Sequence, residues 1–198
     1  MRLGELTVWN TYVNVESGLT IPELNAIIDL FDDDAIEGTA GGSIQRNVRR
    51  SKIKWLGGEH FTDSECVGID RKILERINQV NDEFFKFDLV GMEDFQLTQY
   101  HENESGNFDF HCDSAIHQEP VTRKLSFIIP LSPLSDYEGG HLQFRIGGNL
   151  EDLNVENPHL VERGMMIVFP SHLIHAITPV TKGIRYSLVG WCHGPRFK

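Results

Sequence analysis

From Phe95 onward the chain is cut into short apolar segments by turn-forming residues, and this punctuation constrains the fold more than any other feature. The segments are Phe95–Tyr100, Phe108–Asp113, Lys124–Ile129, His141–Ile146, Met165–Phe169, His175–Val180 and Arg185–Trp191. Between them stand Pro130, Pro133, Gly139-Gly140, Gly147-Gly148, Pro170 and Gly183. None is long enough for a packed helix, and helical patterns do not alternate with them, which excludes a parallel α/β sheet. A β-sandwich or barrel is expected.

The first 94 residues carry the helical signals and are expected to be mostly helical support. Thr20-Ile21-Pro22-Glu23 reads as a capping box, followed by Ile21, Leu24, Ile28 and Phe31 at helical spacing. A second helix is expected from about Asp70, with Ile73, Ile77, Val80 and Phe84 on one stripe and Gly91 beyond its end. Between the helices lies a Gly-rich, basic stretch from Gly38 to Lys52. No repeat or low-complexity linker divides the sequence, so residues 1–198 are expected to form one domain, with the catalytic β core over 95–198.

Charge and cysteine content exclude several functions. With 29 acidic against 18 basic residues, the formal charge of −11 disfavours nucleic acid or an anionic membrane as a partner. An acidic surface serves solubility first, and only slightly favours a cationic or neutral substrate. The N-terminal MRLGELTVWN lacks the apolar core of a signal peptide, and no apolar run approaches the roughly 18 residues of a membrane span. The cysteines Cys66, Cys112 and Cys192 are odd in number and widely spaced, which argues against a disulfide framework or a structural zinc site. A reducing, cytoplasmic location is expected.

The chemistry-bearing pattern is His111-Cys112-Asp113 with His175 and Arg185 downstream. In an extended segment residues i and i+2 share a face, so His111 and Asp113 can bind one ion from a single strand while Cys112 turns away. Two imidazoles and a carboxylate are the ligand set of a non-haem Fe(II) centre with open positions. H-x-D alone carries little, and the third ligand must come from His117, His141, His159, His172, His175 or His193. His175 is preferred because it opens a strand after the Met165–Phe169 run and the Pro170 turn, with an arginine on the next strand. His172 is expected in the turn, His60, His101 and His159 on the surface, and Cys112 as a packed thiol. Arg185 shares a face with Ser187, Val189 and Trp191; if that face points inward, the guanidinium needs an anion and its fork suits a carboxylate.

These residues resemble the Fe(II)/2-oxoglutarate-dependent oxygenases, in particular the prolyl 4-hydroxylase-like branch. The resemblance runs from about Gln96 to Pro195 through QLTQYHENESGNFDFHCD, RKLSFIIPLS, YEGGHLQF and GMMIVFPSHLIHAITPVTKGIRYSLVGW. It implies a double-stranded β-helix, a distorted jelly roll. It also implies His111, Asp113 and His175 as iron ligands and Arg185 as the partner of the distal 2-oxoglutarate carboxylate. Tyr100 matches a co-substrate-binding tyrosine, Leu142 an apolar wall of the co-substrate pocket, and Ser187 and Trp191 inward positions beside the cofactor. Pro130 stands where some relatives carry a second co-substrate tyrosine, so the set of polar contacts differs.

The implied reaction couples decarboxylation of 2-oxoglutarate to hydroxylation of an aliphatic C–H bond, with Fe(II) and O2 required and room for ascorbate as an accessory. Halogenases of the superfamily replace the carboxylate ligand with a small residue, so Asp113 favours hydroxylation. The resemblance implies a proline-containing protein or peptide as substrate, with a free amino acid or small metabolite as the alternative. The basic segment Arg46–Lys52 is then either a flap over the substrate groove or a solvated turn or strand pair. A non-oxidative, cupin-like metal-binding barrel is the competing class; such sites carry further histidines near the first pair and no paired arginine.

Overall fold

The structure, a computed structural model, describes residues 11–62, 65–114 and 121–196. Of the third-ligand candidates His117 lies outside the described residues, as does the segment 1–10 read for a leader. In chain order the strands are β1 (Val13–Glu16), β2 (Ile36–Glu37), β3 (Arg49–Arg50), β4 (Lys52–Leu56), β5 (Gly91–Met92), β6 (Phe95–His101) and β7 (Asn107–His111). They continue as β8 (Val121–Pro130), β9 (Tyr137–Gly139), β10 (Leu142–Ile146), β11 (Asn149–Asp152), β12 (Met165–Pro170), β13 (His175–Ile177) and β14 (Val180–Pro195). Helix α1 covers Ile21–Asp29, α2 Ile69–Val80 and the short α3 Leu153–Glu156.

Two sheets face each other. The larger runs β1-β12-β8-β14-β6-β4-β2, with β5 and β9 also on β14, and the smaller runs β11-β10-β13-β7-β3. Every described pairing between these strands is antiparallel. This mainly β, two-sheet arrangement is the expected double-stranded β-helix. Its organising strand is β14, which pairs with β9 first, then with β6 on one side and β8 on the other.

Strand alternation sorts the apolar residues into two cores. On the central strands Leu97, Phe127, Ile129, Met166, Val168 and Leu188 point to the helix side, where they meet Leu24, Ile27, Ile69, Ile73 and Ile77. The intervening residues Tyr100, Ile128, Ile167 and Phe169 point between the sheets and meet Phe144, Ile177 and Val180. Each fully buried aliphatic side chain contributes roughly 1.5–3 kcal/mol of transfer free energy. The helices therefore close one face of the large sheet, and the space between the sheets is left for the site.

The expected capping box is present: Glu23 Oε2 accepts from the Thr20 amide at 2.8 Å, and the Glu23 amide donates to Thr20 Oγ1 at 3.4 Å. The expected stripe is displaced, however. Leu24, Ala26 and Ile27 are buried while Ile21, in the first turn, is 54% exposed. In α2 Ile73, Ile77 and Val80 lie inward as expected, but a π-turn over Asn81–Phe85 widens the last turn and buries Phe85 in place of Phe84.

Three further expectations are corrected. Residues 11–94 are not only helical, because β1 to β5 lie there and supply edge strands to both sheets. The segment His175–Val180 is two strands, divided at Thr178-Pro179, since proline has no amide for the ladder. Arg46–Lys52 forms the expected strand pair but is not wholly solvated: Arg49, which is buried, and Arg50 pair with Phe108 and Asn107, and Lys52 begins the strand that pairs with β6.

Candidate metal and co-substrate site

β7 and β13 are neighbours in the small sheet, with His111 directly opposite His175. That register brings the two imidazoles to a ring separation of 4.2 Å. Asp113 is not on the strand with His111, as the sequence reading assumes; β7 ends at His111 and Asp113 sits in the bend beyond it. Its amide donates to the Ser171 carbonyl at 2.8 Å, which ties the bend to the turn after β12. The i, i+2 reading reaches the right residue, but the loop and not the pleat aims the carboxylate.

His111 Nε2 lies 3.5 Å from Asp113 Oδ1, and His175 Nε2 lies 3.6 Å from Asp113 Oδ2. One ligand atom from each residue falls within 4.8 Å of the others. Both Nδ1 atoms face backbone carbonyls, His111 toward Asp109 at 2.8 Å and His175 toward Leu173 at 3.0 Å. A proton on each Nδ1 leaves both Nε2 lone pairs directed at the common point. Ser126 Oγ donates to Asp113 Oδ2 at 2.7 Å and also lies 3.0 Å from Ser171 Oγ. Phe108 stacks on His111 at 3.5 Å and Phe169 meets His175 edge-on at 4.8 Å, so neither ring can turn freely.

The electrostatics prepare these groups for a cation. Burial alone would raise the Asp113 carboxyl, but the neighbouring His175 and His111 and the hydrogen bond from Ser126 outweigh it and hold the group below the usual carboxylate range. Burial lowers His175 below its ordinary value, against the opposing pull of Asp113. Two imidazoles and one carboxylate are a donor set that fits a divalent iron.

The same cavity receives Arg185, Tyr100, Ser187 and Trp191. Arg185 is 3% exposed, its Nη1 donates to Ser187 Oγ at 3.2 Å, and its Cζ lies 5.6 Å from the Tyr100 ring centre. Arg185 Nε and Trp191 Nε1 are buried with no hydrogen-bond partner. Two orphaned buried donors beside three ligand atoms fit an oxo acid that binds the metal at one end and the arginine at the other. Gly140 makes the room: its φ is +62°, and a Cβ there would come 2.8 Å from Arg185 Cδ.

Leu142 lies in the cluster that also holds the cavity residues Tyr100 and Ile128. It packs in the inter-sheet core, and its cross-strand partner Ile177 lines the cavity. Pro130 ends β8 opposite Ser187. His172 and His159 are exposed and His60 and His101 are partly so, as expected, and His193 pairs with Glu93. Cys112 is exposed and not a packed thiol, because beyond the end of β7 it has no facing strand. The reading missed Phe108, Ile177 and Arg49 as cavity residues. Phe108 and Ile177 were recoverable as apolar strand residues two or three positions from ligands; Arg49 was hidden in a basic run.

A sequence profile described as the 2OG-Fe(II) oxygenase superfamily matches residues 95–193. A PKHD-type hydroxylase of Idiomarina loihiensis is 35% identical over 95 residues, which cover 48% of this chain and 39% of that relative. The chain thus spans well under half the length of the curated relatives it matches. Among solved structures, a Pseudomonas putida prolyl-4-hydroxylase is similar with a TM-score of 0.69 and 17% identity over 95% of this chain and 94% of the other. A Trichoplax adhaerens prolyl hydroxylase, in complex with a peptide fragment of the hypoxia inducible factor oxygen degradation domain, has a TM-score of 0.72 and 16% identity over 92% of this chain and 83% of the other. At these identities the two structures speak for the fold.

Proposed function

The chain belongs to the 2OG-Fe(II) oxygenase superfamily, and from that premise we propose that it hydroxylates an aliphatic C–H bond of a proline in a protein or peptide. The observation that carries this reading is the cavity in which His111, Asp113 and His175 are joined by the orphaned donors of Arg185 and Trp191. The choice of proline is supported by a relative named as a PKHD-type hydroxylase and by similar folds among prolyl hydroxylases.

When bound, Fe(II) with 2-oxoglutarate and O2 supplies an oxidant able to break a C–H bond, while 2-oxoglutarate becomes succinate and CO2. The residues of the chain do the rest. His111, Asp113 and His175 would hold the metal from one side and leave the other side open. Arg185 would fix the distal carboxylate through charge-assisted bonds, with Tyr100, Ser187 and Trp191 beside it. Ile128, Ile177 and Val189 line the cavity and keep bulk water from the reacting atoms. The reading places the protein in a reducing cytoplasm, supported by three cysteines without disulfides. Among the described residues no helix is long and apolar enough to cross a membrane.

The test is oxygen transfer. Purified protein with Fe(II), 2-oxoglutarate and ascorbate is offered proline-containing peptides or free L-proline, and products are weighed by mass spectrometry. The expected result is a gain of one oxygen on peptidyl proline. A gain on free proline alone would move the assignment to the small-molecule alternative, and no gain on either would contradict the proline reading.

A further inference from the structure

Arg49 is a second buried cation of the same cavity, and no part of the iron and 2-oxoglutarate chemistry uses it. It is 6% exposed, on β3, directly opposite Phe108. Its Nε donates to Ser51 Oγ at 2.7 Å and its Nη1 to the Thr39 carbonyl at 3.1 Å, and its Cζ lies 4.6 Å from the Phe108 ring centre. These contacts hold the guanidinium plane but do not neutralise it. Among the described residues no carboxylate forms an ion pair with it, and its Nη2 makes no hydrogen bond. Gly38 gives it room, since a Cβ there would come 2.5 Å from Arg49 Nε and 2.4 Å from Ser51 Oγ.

A guanidinium stays charged at any physiological pH, and a buried one without a counter-ion is costly. The charges of the loaded site identify what is missing. Fe(II), the Asp113 carboxylate, dianionic 2-oxoglutarate and Arg185 together sum to zero, so Arg49 is the cation left over. Its position differs from that of Arg185 as well. Arg185 stands on the large sheet inside the cavity, whereas Arg49 stands on the small sheet and lines both that cavity and an outer cleft of about 250 Å3. The outer cleft also carries Arg46, Arg50 and Glu104, with Glu37 held by Arg46. Arg49 is the residue that the linings of the cleft and the cavity share.

We propose that Arg49 is a substrate-specificity residue that binds a carboxylate of the molecule to be hydroxylated, either an acidic side chain next to the target residue in a peptide or the α-carboxylate of a free amino acid. The inference rests on the oxygenase reading of the site and adds a chemical class to its substrate. The planar fork has Nη2 and the second hydrogen of Nη1 free, which suits two-point contact with a carboxylate. Phe108 lies between Arg49 and His111, and so sets the spacing between the guanidinium and the metal ligands.

The test uses the full chain loaded with Mn(II) and N-oxalylglycine, an unreactive analogue of 2-oxoglutarate, and measures binding by calorimetry. Two probe pairs differ only in charge: the acetylated, amidated peptides Glu-Pro-Gly and Gln-Pro-Gly, and L-proline against prolinamide. At least one carboxylate member is expected to bind about tenfold or more tightly than its neutral counterpart, and which pair responds identifies the source of the carboxylate. Arg49→Gln is expected to erase that preference, and Arg49→Lys, which keeps the charge but loses the fork, to restore part of it. The inference is overturned if neither pair shows a charge preference, if the preference survives Arg49→Gln, or if Arg49→Gln instead weakens N-oxalylglycine binding. Absence of the wild-type preference overturns the inference whether or not a variant folds, and Arg49→Lys gives a second route to the assignment if Arg49→Gln does not fold. Succinate formation by the unmodified protein without any probe tests the underlying reading separately: succinate without charge preference sinks this inference alone, and no succinate sinks both.

Discussion

Arg185 shows how one side chain can be read as a ligand site from its unmet bonds. It is buried, its Nε has no partner, and its Nη1 reaches only the Ser187 hydroxyl. On the proposed reading, the distal carboxylate of 2-oxoglutarate completes it. Replacing Arg185 with alanine removes a charge-assisted bond of about 1.5–3 kcal/mol, which corresponds to a rise of about tenfold to a hundredfold in the 2-oxoglutarate concentration needed for half-maximal turnover. A titration of succinate formation against 2-oxoglutarate checks this, and an unchanged requirement would make Arg185 structural. At this scale the sequence was informative wherever residue type and spacing encode chemistry. His111, Asp113, His175 and Arg185 could be named from the chain because few other purposes need that set in that order. Arg49 could not be, because a basic run such as Arg46–Lys52 looks solvated throughout. Only the pairing of β3 with β7 turns one of its members inward while Arg46 stays outside on Glu37.

The elements are held at the rim of the site by a polar clamp. Just after β5, Glu93 accepts from Arg123 Nε and Nη2, both at 2.6 Å, and lies 2.5 Å from His193 Nε2. It thereby joins β8 to β14, and Arg123 stacks over the cavity residue Trp191 at 3.9 Å. Burial alone would raise the Glu93 carboxyl, but Arg123 and His193 outweigh it and hold the group below the usual carboxylate range. A carboxyl lowered in the folded state stabilises the fold above its unfolded value, near 4.3, and loses that contribution as pH falls through its folded value. Glu93→Gln is therefore expected to lower the melting temperature at neutral pH, with the gap to the parent closing as the pH drops below about 4.3. A gap independent of pH would show that the charge of Glu93 contributes nothing. The long strands β6, β8, β12 and β14 were legible because alternation and flanking turns mark them. The two-residue strands β2, β3 and β5 were not, since so short a segment has no period and exists only through its partner strand. The π-turn after α2 was equally invisible; a one-residue shift from Phe84 to Phe85 is settled by packing and not by local preference.

At the scale of the whole molecule, the large sheet takes the helices on one face and the small sheet on the other, which leaves one lined space between the sheets. Each sheet brings part of the chemistry to it. The small sheet supplies His111, His175 and Arg49, the large sheet supplies Tyr100, Arg185, Ser187 and Trp191, and the bend after β7 supplies Asp113. No single element could form the site, so its completeness depends on the register of β7 against β13 and of β6 against β14. The most direct test is succinate formation from 2-oxoglutarate by the purified protein, with Fe(II) added or chelated, compared between the parent and Asp113→Ala. Fe(II)-dependent succinate formation by the parent, lost on chelation and lost or strongly reduced in Asp113→Ala, is the predicted result. Absence of succinate from the parent, or equal rates in the folded variant, would contradict the assignment of the site.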